Sequence, residues 1–272
     1  MYPTRTIRAA SLFLCALLGA SAAFPDAKEE LHKTYTLQSG AQVTVENVNG
    51  TVSIAAWDSA YTDLRAVKRT SKDRSELEKV EIEITVDGGL RVKTVAHGVE
   101  GFLHRSYPRV SVDYTIRIPR TVMVQTVKNV NGDITLLYTA GDPSLYNTNG
   151  AVRTEGVRRL AKMKTVNGSI EVIGGSSIRD AETTNGSIQA ALIPGSDPMN
   201  FSTVNGSITL SVSTGANADV DLRTVTGKIV IPDGFTLRRG EISRHLISGR
   251  LGSGGAPLAA KTVNGSITLE VR

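Results

Sequence analysis

The sequence is poor in cysteine, in aromatic residues and in long apolar runs. Cys15 is the only cysteine among 272 residues, and aromatic residues make up 5% of the chain. No apolar run approaches the ~20 residues that a membrane-spanning helix requires. These absences exclude a multi-span membrane protein and a disulfide scaffold. A content of 40% apolar and 21% charged residues excludes a disordered chain.

Residues 1–22 have the pattern of a signal peptide. Arg5 and Arg8 precede an uncharged apolar run at 9–18, and small residues follow at 20–22. A charged start, a short apolar segment and a small-residue cleavage site are typical of exported proteins. We therefore predict an exported protein that is periplasmic, surface-located or secreted. Because cleavage would remove Cys15, the mature chain would have no disulfide, no thiolate nucleophile and no cysteine-bound zinc.

An Asn-Gly motif recurs through the second half of the chain, and most copies are 18 to 22 residues apart. That step is the length of one coil of a β-solenoid, in which each coil buries its inward side chains against its neighbours. The sequence therefore predicts an all-β fold, a single-stranded β-helix-like solenoid. Full copies begin at Asn131, Asn149, Asn167, Asn185, Asn205 and Asn264, degenerate copies at Thr226 and Ser248, and an early copy at Asn49.

A series of β-hairpins with Asn-Gly turns is the competing interpretation. In a two-residue hairpin, Val166 would face Ser169 and Thr165 would face Ile170, which places the apolar residues on opposite faces of the sheet. If Asn-Gly is instead a corner between two sides of a coil, Val166 and Ile170 can both point into the core. This comparison favours the solenoid, with glycine needed at the corner for close backbone approach or positive φ.

Stacked coils would align equivalent residues in columns at intervals of about 4.8 Å. The asparagines would then form a hydrogen-bonded ladder, and the motif Thr-x-Asn-Gly-Ser would form a repetitive polar ridge. We predict that this ridge is the binding surface. Its candidate residues are Asn131, Asn149, Asn167, Asn185, Asn205, Asn264, Ser169, Ser187, Ser207 and Ser266.

The N-terminal half is less regular. We expect residues 31–120 to form a β region continuous with the repeat solenoid of 121–272, and a separate small β-sandwich is the alternative. The charged segment 71–79 is expected to contain a short helix, and 96–108 to be a loop. Apolar alternation predicts strands near 42–46, 51–55, 64–68, 80–86, 90–95 and 110–118.

Two segments of this half carry a resemblance to a known family. They are Asn49-Gly-Thr-Val-Ser-Ile-Ala-Ala-Trp-Asp58 and Tyr114-Thr-Ile-Arg-Ile-Pro119, followed by the Asn-Gly repeats. In this order they resemble the bacterial putative-adhesin domain family of unknown function, over about 37–272. The resemblance implies an exported β-solenoid fold. It implies adhesion only as a label, and it supplies no catalytic residues.

The sequence contains no recognisable catalytic, cofactor or metal site. The residue after each Asn-Gly is acidic only at Asp133, so no carboxylate cluster forms along the ridge. The four histidines, His32, His97, His104 and His245, have no metal-ligand spacing. We therefore predict a protein without a cofactor that is not an enzyme.

Expectations about partners follow from the charges and the chain ends. The basic cluster at 153–164 is interpreted as a solvated face, and without an aromatic platform we expect no nucleic-acid binding. Trp57 is expected to be a core or cap residue rather than a sugar-stacking platform. The last repeat, residues 267–271, is expected to leave an open solenoid end that forms an end-to-end homodimer or is covered by N-terminal strands.

The leading hypothesis is a non-enzymatic cell-envelope protein, an adhesin or scaffold. Its ridge would bind an envelope polysaccharide or another surface protein. One alternative is a carbohydrate-active β-helix enzyme with its site near 97–109. Another is a periplasmic envelope-sensing accessory protein.

Overall fold

A computed structural model describes residues 27–97, 99–100, 105–106, 109–175, 177–193, 195–231 and 237–272. Within these ranges nearly all regular structure is β, and the helix α1 (Ser75–Glu78) lies between the fourth and fifth strands. The strands, in chain order, are β1 (Ala27–Tyr35), β2 (Gln42–Glu46), β3 (Val52–Trp57), β4 (Thr62–Thr70), β5 (Val80–Val86), β6 (Leu90–Ala96), β7 (Val99–Glu100), β8 (Arg105–Ser106), β9 (Ser111–Pro119), β10 (Met123–Lys128), β11 (Ile134–Leu137), β12 (Ser144–Tyr146), β13 (Val152–Glu155), β14 (Arg159–Leu160), β15 (Lys162–Asn167), β16 (Ile170–Gly175), β17 (Ser177–Ile178), β18 (Asp180–Asn185), β19 (Ile188–Leu192), β20 (Met199–Asn205), β21 (Ile208–Val212), β22 (Ala218–Thr226), β23 (Ile229–Val230), β24 (Leu237–Ile242), β25 (Leu246–Leu251), β26 (Pro257–Asn264) and β27 (Ile267–Val271).

Most strands belong to two long sheets that enclose one continuous apolar core. The first sheet has the order β1-β4-β9-β3-β11-β13-β16-β19-β21-β27-β23. The second has the order β24-β25-β22-β26-β20-β18-β15-β12-β10-β2-β6-β5. Each repeat coil contributes one strand to the second sheet and the next strand to the first, and the two are joined by an Asn-Gly corner or, between β22 and β23, by Thr226-Gly227. The predicted all-β solenoid is confirmed.

One inward column of the first sheet shows how successive coils stack. Val152, Ile170, Ile188, Ile208 and Ile267 align in register along parallel strands. All five side chains are completely buried. Burial of each contributes about 1.5–3 kcal/mol relative to exposure, so the repeated aliphatic residue after each corner stabilises the contact between coils.

The prediction that Val166 points into the core is wrong. Along β15 the side chains alternate between inside and outside, and Met163 and Thr165 are the inward ones. Val166 is 36% exposed because it follows the inward Thr165, so the alternation of the strand directs it outward. The threonine is tolerated inside because its Oγ1 donates a hydrogen bond to the carbonyl oxygen of Gly150, at 3.1 Å.

The N-terminal strands extend both sheets beyond the coil of β2 and β3. β6 pairs in parallel with β2 in the second sheet, and β9 pairs in parallel with β3 in the first. Beyond them, β5 pairs with β6, β4 with β9 and β1 with β4, all antiparallel, so this end of the stack does not finish on another coil. The helix α1 lies within the predicted segment 71–79, whereas the expected loop at 96–108 falls partly outside the described residues.

The spatial order of the coils departs from the chain order near the C-terminus. The coil of β26 and β27 comes last in the chain. In space it lies between the coil of β20 and β21 and the coil of β22 and β23, which both precede it in the sequence. β26 pairs in parallel with both β20 and β22, and β27 pairs in parallel with both β21 and β23. The last coil of the chain is therefore intercalated between two earlier ones.

This arrangement overturns two sequence-based expectations. The strand of residues 267–271 is not a free end of the stack, and N-terminal strands do not cover it, because β21 pairs with its whole length on one side and β23 pairs with Ile267 and Thr268 on the other. Ser248 is not a repeat corner, since it lies inside β25 and aligns with Asp221 of the antiparallel neighbour β22. Thr226 does occupy a corner, between β22 and β23.

Candidate functional site

The corner asparagines form a continuous side-chain ladder along one edge of the solenoid. Asn131 donates from Nδ2 to Oδ1 of Asn49 at 2.7 Å, and each later rung has the same geometry at 2.7–2.8 Å. Thr226 closes the ladder by donating from Oγ1 to Oδ1 of Asn264 at 2.8 Å. In spatial order the Asn ladder consists of Asn49, Asn131, Asn149, Asn167, Asn185, Asn205 and Asn264.

Backbone hydrogen bonds fix each corner to the next. The amide of Gly168 donates to the carbonyl oxygen of Asn185 at 3.1 Å, and Gly186 donates in the same way to Asn205 at 3.0 Å. In the opposite direction, the buried Thr183 donates from Oγ1 to the carbonyl oxygen of Gly168 at 2.8 Å. Because both polar groups of the glycine have partners in the neighbouring coil, the ladder is held at a constant register.

Inside the ladder lies a column of hydrogen-bond donors that the sequence pattern did not reveal. Thr165, Thr183, Thr203, Thr262 and Thr224 each donate to a glycine carbonyl of the adjacent coil. In the earlier coils the buried amides of Asn129 and Asn147 donate to glycine carbonyls, and the buried amide of Asn47 donates to the carbonyl oxygen of Val112. The signal in the sequence is the Thr or Asn that stands two residues before each corner, and the prediction that the threonines of the motif are exposed is wrong.

Close approach of neighbouring coils explains the corner glycines. A Cβ on Gly168 would lie 1.9 Å from the carbonyl oxygen of Gly150, and one on Gly186 would lie 2.0 Å from that of Gly168. Neither glycine has a left-handed φ, so conformational freedom is not the reason for glycine at these two corners. A side chain there would push the coils apart.

The exposed ridge has three parallel columns, the first of which is the Asn ladder. The second, here called the valine column, contains the residues that precede the corners: Val48, Val130, Thr148, Val166, Thr184, Val204, Val263 and Val225. Val130, Val166, Val204, Val263 and Val225 are 36–67% exposed. The third, here called the serine column, contains the residues that follow Asn-Gly: Thr51, Asp133, Ala151, Ser169, Ser187, Ser207, Ser266 and Lys228.

The predicted ridge residues thus lie together, but the set of side chains exposed on the ridge differs from the predicted Thr-x-Asn-Gly-Ser. The six predicted asparagines stack, Ser169 and Ser207 are exposed, and Ser187 and Ser266 are half-buried. The threonines of the motif are buried and do not belong to the exposed surface. The ridge therefore presents Val, Asn and Ser to solvent.

The chemistry of this ridge is that of an uncharged hydrogen-bonding array. An asparagine amide has two N–H donors and an oxygen with two lone pairs, and each ladder bond uses one donor and one lone pair per residue. The second N–H and the second lone pair of each exposed rung have no partner among the described residues. The array repeats at the strand spacing of about 4.8 Å, over roughly 34 Å from Asn49 to Thr226.

The basic cluster at 153–164 is paired with acidic residues of neighbouring coils. Arg153 contacts Glu171, its register partner in the next strand. Lys162 and Lys164 both reach the carboxylate of Glu182, at 3.3 and 3.4 Å. These ion pairs offset the positive charge, so the cluster does not form a cationic strip.

Trp57 lies half-buried on the outer face of the first sheet. Its indole N–H donates to the carbonyl oxygen of Tyr61 at 2.9 Å, the Tyr61 ring packs edge-on at 4.9 Å, and the Arg117 guanidinium lies 5.6 Å from the indole centroid. Of the two predicted placements, core or cap, the core is wrong, because the alternation of β3 directs Val52 and Ile54 inward instead, and the cap placement stays a prediction.

The histidines do not assemble a metal or acid–base site in the part of the chain that is described. His32 contacts Asp63, and exposed His97 lies 3.5 Å from Glu81. His245 is exposed, and His104 lies outside the described residues, as does most of the proposed enzyme site at 97–109. Among described residues no three His, Cys, Asp or Glu side chains are close enough to hold a metal ion.

A buried polar chain lies behind the first corner. The Tyr114 hydroxyl is 2.7 Å from Oγ1 of Thr94, which donates to Oδ1 of Asn47 at 2.9 Å, and Asn47 donates to the carbonyl oxygen of Val112 at 2.9 Å. Burial raises the pKa of Tyr114 to about 12, although the hydrogen bond to Thr94 opposes the shift. This chain is structural, since all its members are buried.

The fold and corner geometry together define a parallel β-solenoid with an asparagine-lined edge. The family model described as Toastrack DUF4097 matches residues 28–270. The chain therefore belongs to the Toastrack family, a domain family of unknown function, and the family resemblance of the sequence is confirmed. No helix among the described residues is long and apolar enough to cross a membrane.

Several solved structures resemble the chain at low sequence identity. A putative cell adhesion protein from Clostridium sporogenes is 9% identical, with a TM-score of 0.34, covering 90% of this chain and 100% of that chain. A putative adhesin from Parabacteroides merdae is 13% identical, with a TM-score of 0.34, covering 90% and 96%. A putative adhesin from Bacteroides fragilis is 13% identical, with a TM-score of 0.30, covering 89% and 98%. No curated protein matches the chain.

Proposed function

We propose that this protein is a non-enzymatic, exported cell-envelope scaffold that binds an extended polysaccharide along the Asn ladder and its two flanking columns. The observation that carries the proposal is the unbroken ladder from Asn49 to Asn264, with one solvent-facing amide in each coil. A polymer with regularly spaced hydroxyl groups is a suitable ligand, because each rung offers it one donor and one acceptor. Export is proposed from the signal-peptide pattern of residues 1–22.

The valine column supports a saccharide rather than a fully polar ligand. Val166 and Val204 expose apolar surface directly beside Asn167 and Asn205. Sugar rings combine hydroxyl edges with apolar C–H faces, so an apolar column beside a hydrogen-bonding one matches both parts of the ligand. Burial of exposed apolar surface contributes about 25 cal/mol per Å².

The ridge also predicts how binding depends on salt. The Asn ladder and the valine column contain no charged residue, and only Asp133 and Lys228 are charged in the serine column. Hydrogen bonds and apolar contacts are little affected by ionic strength, whereas contacts made by exposed Lys and Arg are screened. Binding along the ridge should therefore persist at high salt.

The test is co-sedimentation of the chain lacking residues 1–22 with isolated envelope fractions and insoluble polysaccharides, at low and high salt. The ridge variant is Ser169→Lys with Ser207→Lys. Lysine is chosen because Lys228 already occupies the same column in another coil. The control is Gln189→Lys with Thr209→Lys, which adds the same charge to the outer face of the first sheet.

We expect salt-resistant binding to one polymer, at least about tenfold weaker in the ridge variant and unchanged in the control, which corresponds to about 1.4 kcal/mol. Binding that disappears in high salt would instead assign the interaction to exposed Arg and Lys side chains. Absence of binding to every polysaccharide would refute the proposal and direct attention to a protein partner. Catalytic release of soluble sugars would favour the enzyme alternative.

A further inference from the structure

The intercalated coil is a segment of the chain that fills the space between two other coils. Parallel strands border β26 on both sides over Leu258–Asn264, whereas β27 has β21 along its whole length and β23 only at Ile267 and Thr268. Without this segment, β20 and β21 would face β22 and β23 across an empty layer. The long edges of β20, β21 and β22 and the two-residue edge of β23 would then lack backbone partners, which is a template for a strand of matching sequence.

The matching sequence is present twice in the chain. Residues 203–210 and residues 262–269 both read Thr-Val-Asn-Gly-Ser-Ile-Thr-Leu. The two octapeptides lie side by side in exact register, with Thr203 aligned to Thr262 and Leu210 aligned to Leu269. Each residue therefore contacts its own counterpart, as in stacked identical strands.

A glycine-rich link connects the intercalated coil to the rest of the protein. It consists of residues 252–256, Gly-Ser-Gly-Gly-Ala, between the end of β25 and the start of β26. Gly252 and Gly254 have φ of 61° and 81°, and the amide of Ser253 donates to Oδ1 of Asn217 at 2.7 Å. These few contacts hold the link in a compact turn, and five residues span at most about 18 Å when extended.

We propose that the coil of β26 and β27 is exchangeable between copies, so that two copies of this chain associate by inserting this coil reciprocally. The hydrogen bonds and the buried side chains of the coil are the same whether it belongs to the same chain or to a second copy. Only the link and the association entropy differ between the two states, which is the usual basis of domain swapping. The partner is a second copy because the gap is lined on one side by the identical octapeptide.

The test uses cysteine pairs in the full chain with Cys15→Ser, which removes the native cysteine. Thr209 and Thr268 are register partners on the outer faces of β21 and β27. Neighbouring strands place their Cα atoms within the range that a disulfide can join. A chain with only Thr209→Cys is co-expressed with a chain with only Thr268→Cys and then oxidised in air. A disulfide between them forms readily only when β27 of one copy lies beside β21 of the other.

The matched control replaces Thr268→Cys with Gln189→Cys. Gln189 is the register partner of Thr209 on its other side, in β19, which is not part of the exchangeable coil. Random collisions would join Thr209→Cys to Gln189→Cys as often as to Thr268→Cys. Exchange predicts covalent dimer from the Thr268→Cys pair at about ten times the yield of the control pair or more.

A chain that carries both Thr209→Cys and Thr268→Cys completes the design. Its intramolecular disulfide shows that the variants fold and that the strands are adjacent, and this closed form should remain monomeric in sedimentation. The proposal is overturned if this double variant closes on itself while the co-expressed single variants give no more dimer than the Gln189→Cys control.

Discussion

Asn264 donates a hydrogen bond from Nδ2 to Oδ1 of Asn205 at 2.7 Å, although the two residues are 59 positions apart in the chain. All the other rungs between Asn131 and Asn205 join residues only 18 or 20 positions apart. The long-range rungs, this one and the rung from Asn131 to Asn49 across 82 positions, show that the ladder follows the spatial order of the coils rather than the order of the chain. The contact between Asn264 and Asn205 makes the last coil an internal layer of the stack.

Interruption of the Asn ladder should destabilise the protein in proportion to the hydrogen bonds removed. Asn167→Ala removes the bonds to Asn149 and from Asn185, and we expect the free energy of unfolding to fall by about 1–3 kcal/mol. Asn167→Thr should cost less, because Thr226 already performs this role at the end of the ladder. Urea unfolding followed by circular dichroism measures both. Equal losses for the two variants would contradict a hydrogen-bonding role.

The inner column predicts that threonine is required two residues before a corner. Thr203→Val keeps the shape of the buried side chain but removes the bond from Oγ1 to the carbonyl oxygen of Gly186. We expect a loss of about 1–3 kcal/mol of unfolding free energy, because the carbonyl loses this donor. Thr184→Val is the matched control, since Thr184 is exposed in a column where other coils carry valine. Thermal unfolding should show a lower Tm for Thr203→Val alone.

The close approach of coils predicts a severe effect at a corner glycine. Gly168→Ala would place its Cβ 1.9 Å from the carbonyl oxygen of Gly150, so the coils must separate or the variant must fail to fold. Gly88→Ala is the comparison, because Gly88 has φ of 62° with open space around it. Only the conformational cost, about 1–2 kcal/mol, applies there. Comparable stability of the two variants would refute the explanation by close approach.

The buried Tyr114 predicts a loss of stability at alkaline pH. Its pKa is about 12 in the folded protein against 10.0 for the free group, so the folded state disfavours the phenolate. Stability that is fully present below pH 10 should therefore decline as the pH rises towards 12, by at most about 3 kcal/mol. Urea unfolding at several pH values measures this decline. Tyr114→Phe should abolish the contribution of this group, and an unchanged decline in that variant would assign the effect to other residues.

Much of the fold could be predicted because the spacing of the Asn-Gly repeats gives the length of one coil directly. The Asn-Gly spacing requires equivalent residues to recur after one coil, and in-register stacking of Ile170, Ile188 and Ile208 satisfies that spacing with a continuous core. The asparagine column follows directly, since identical residues at identical positions in parallel strands must lie side by side. Alternation likewise predicted β2 at its observed bounds.

The direction of the residues beside the corner could not be predicted in the same way. Thr165 and Val166 are adjacent, and hydropathy favours the valine as the inward one. The observed arrangement is the reverse, because the glycine carbonyl of the neighbouring coil needs a donor, and only Thr165 can reach it from inside. That requirement appears only when two coils are brought together.

The sequence by itself determined the β-solenoid, the coil length, the asparagine corners and the glycine at each of them, because these depend on local repetition. Only the tertiary structure decided which coil lies beside which. Residues 203–210 and 262–269 are identical, so each offers the same hydrogen bonds and the same apolar surface to any neighbour. The choice of neighbour depends instead on the antiparallel strands β24 and β25, which close the second sheet beyond β22 and leave an internal layer for the last coil to occupy.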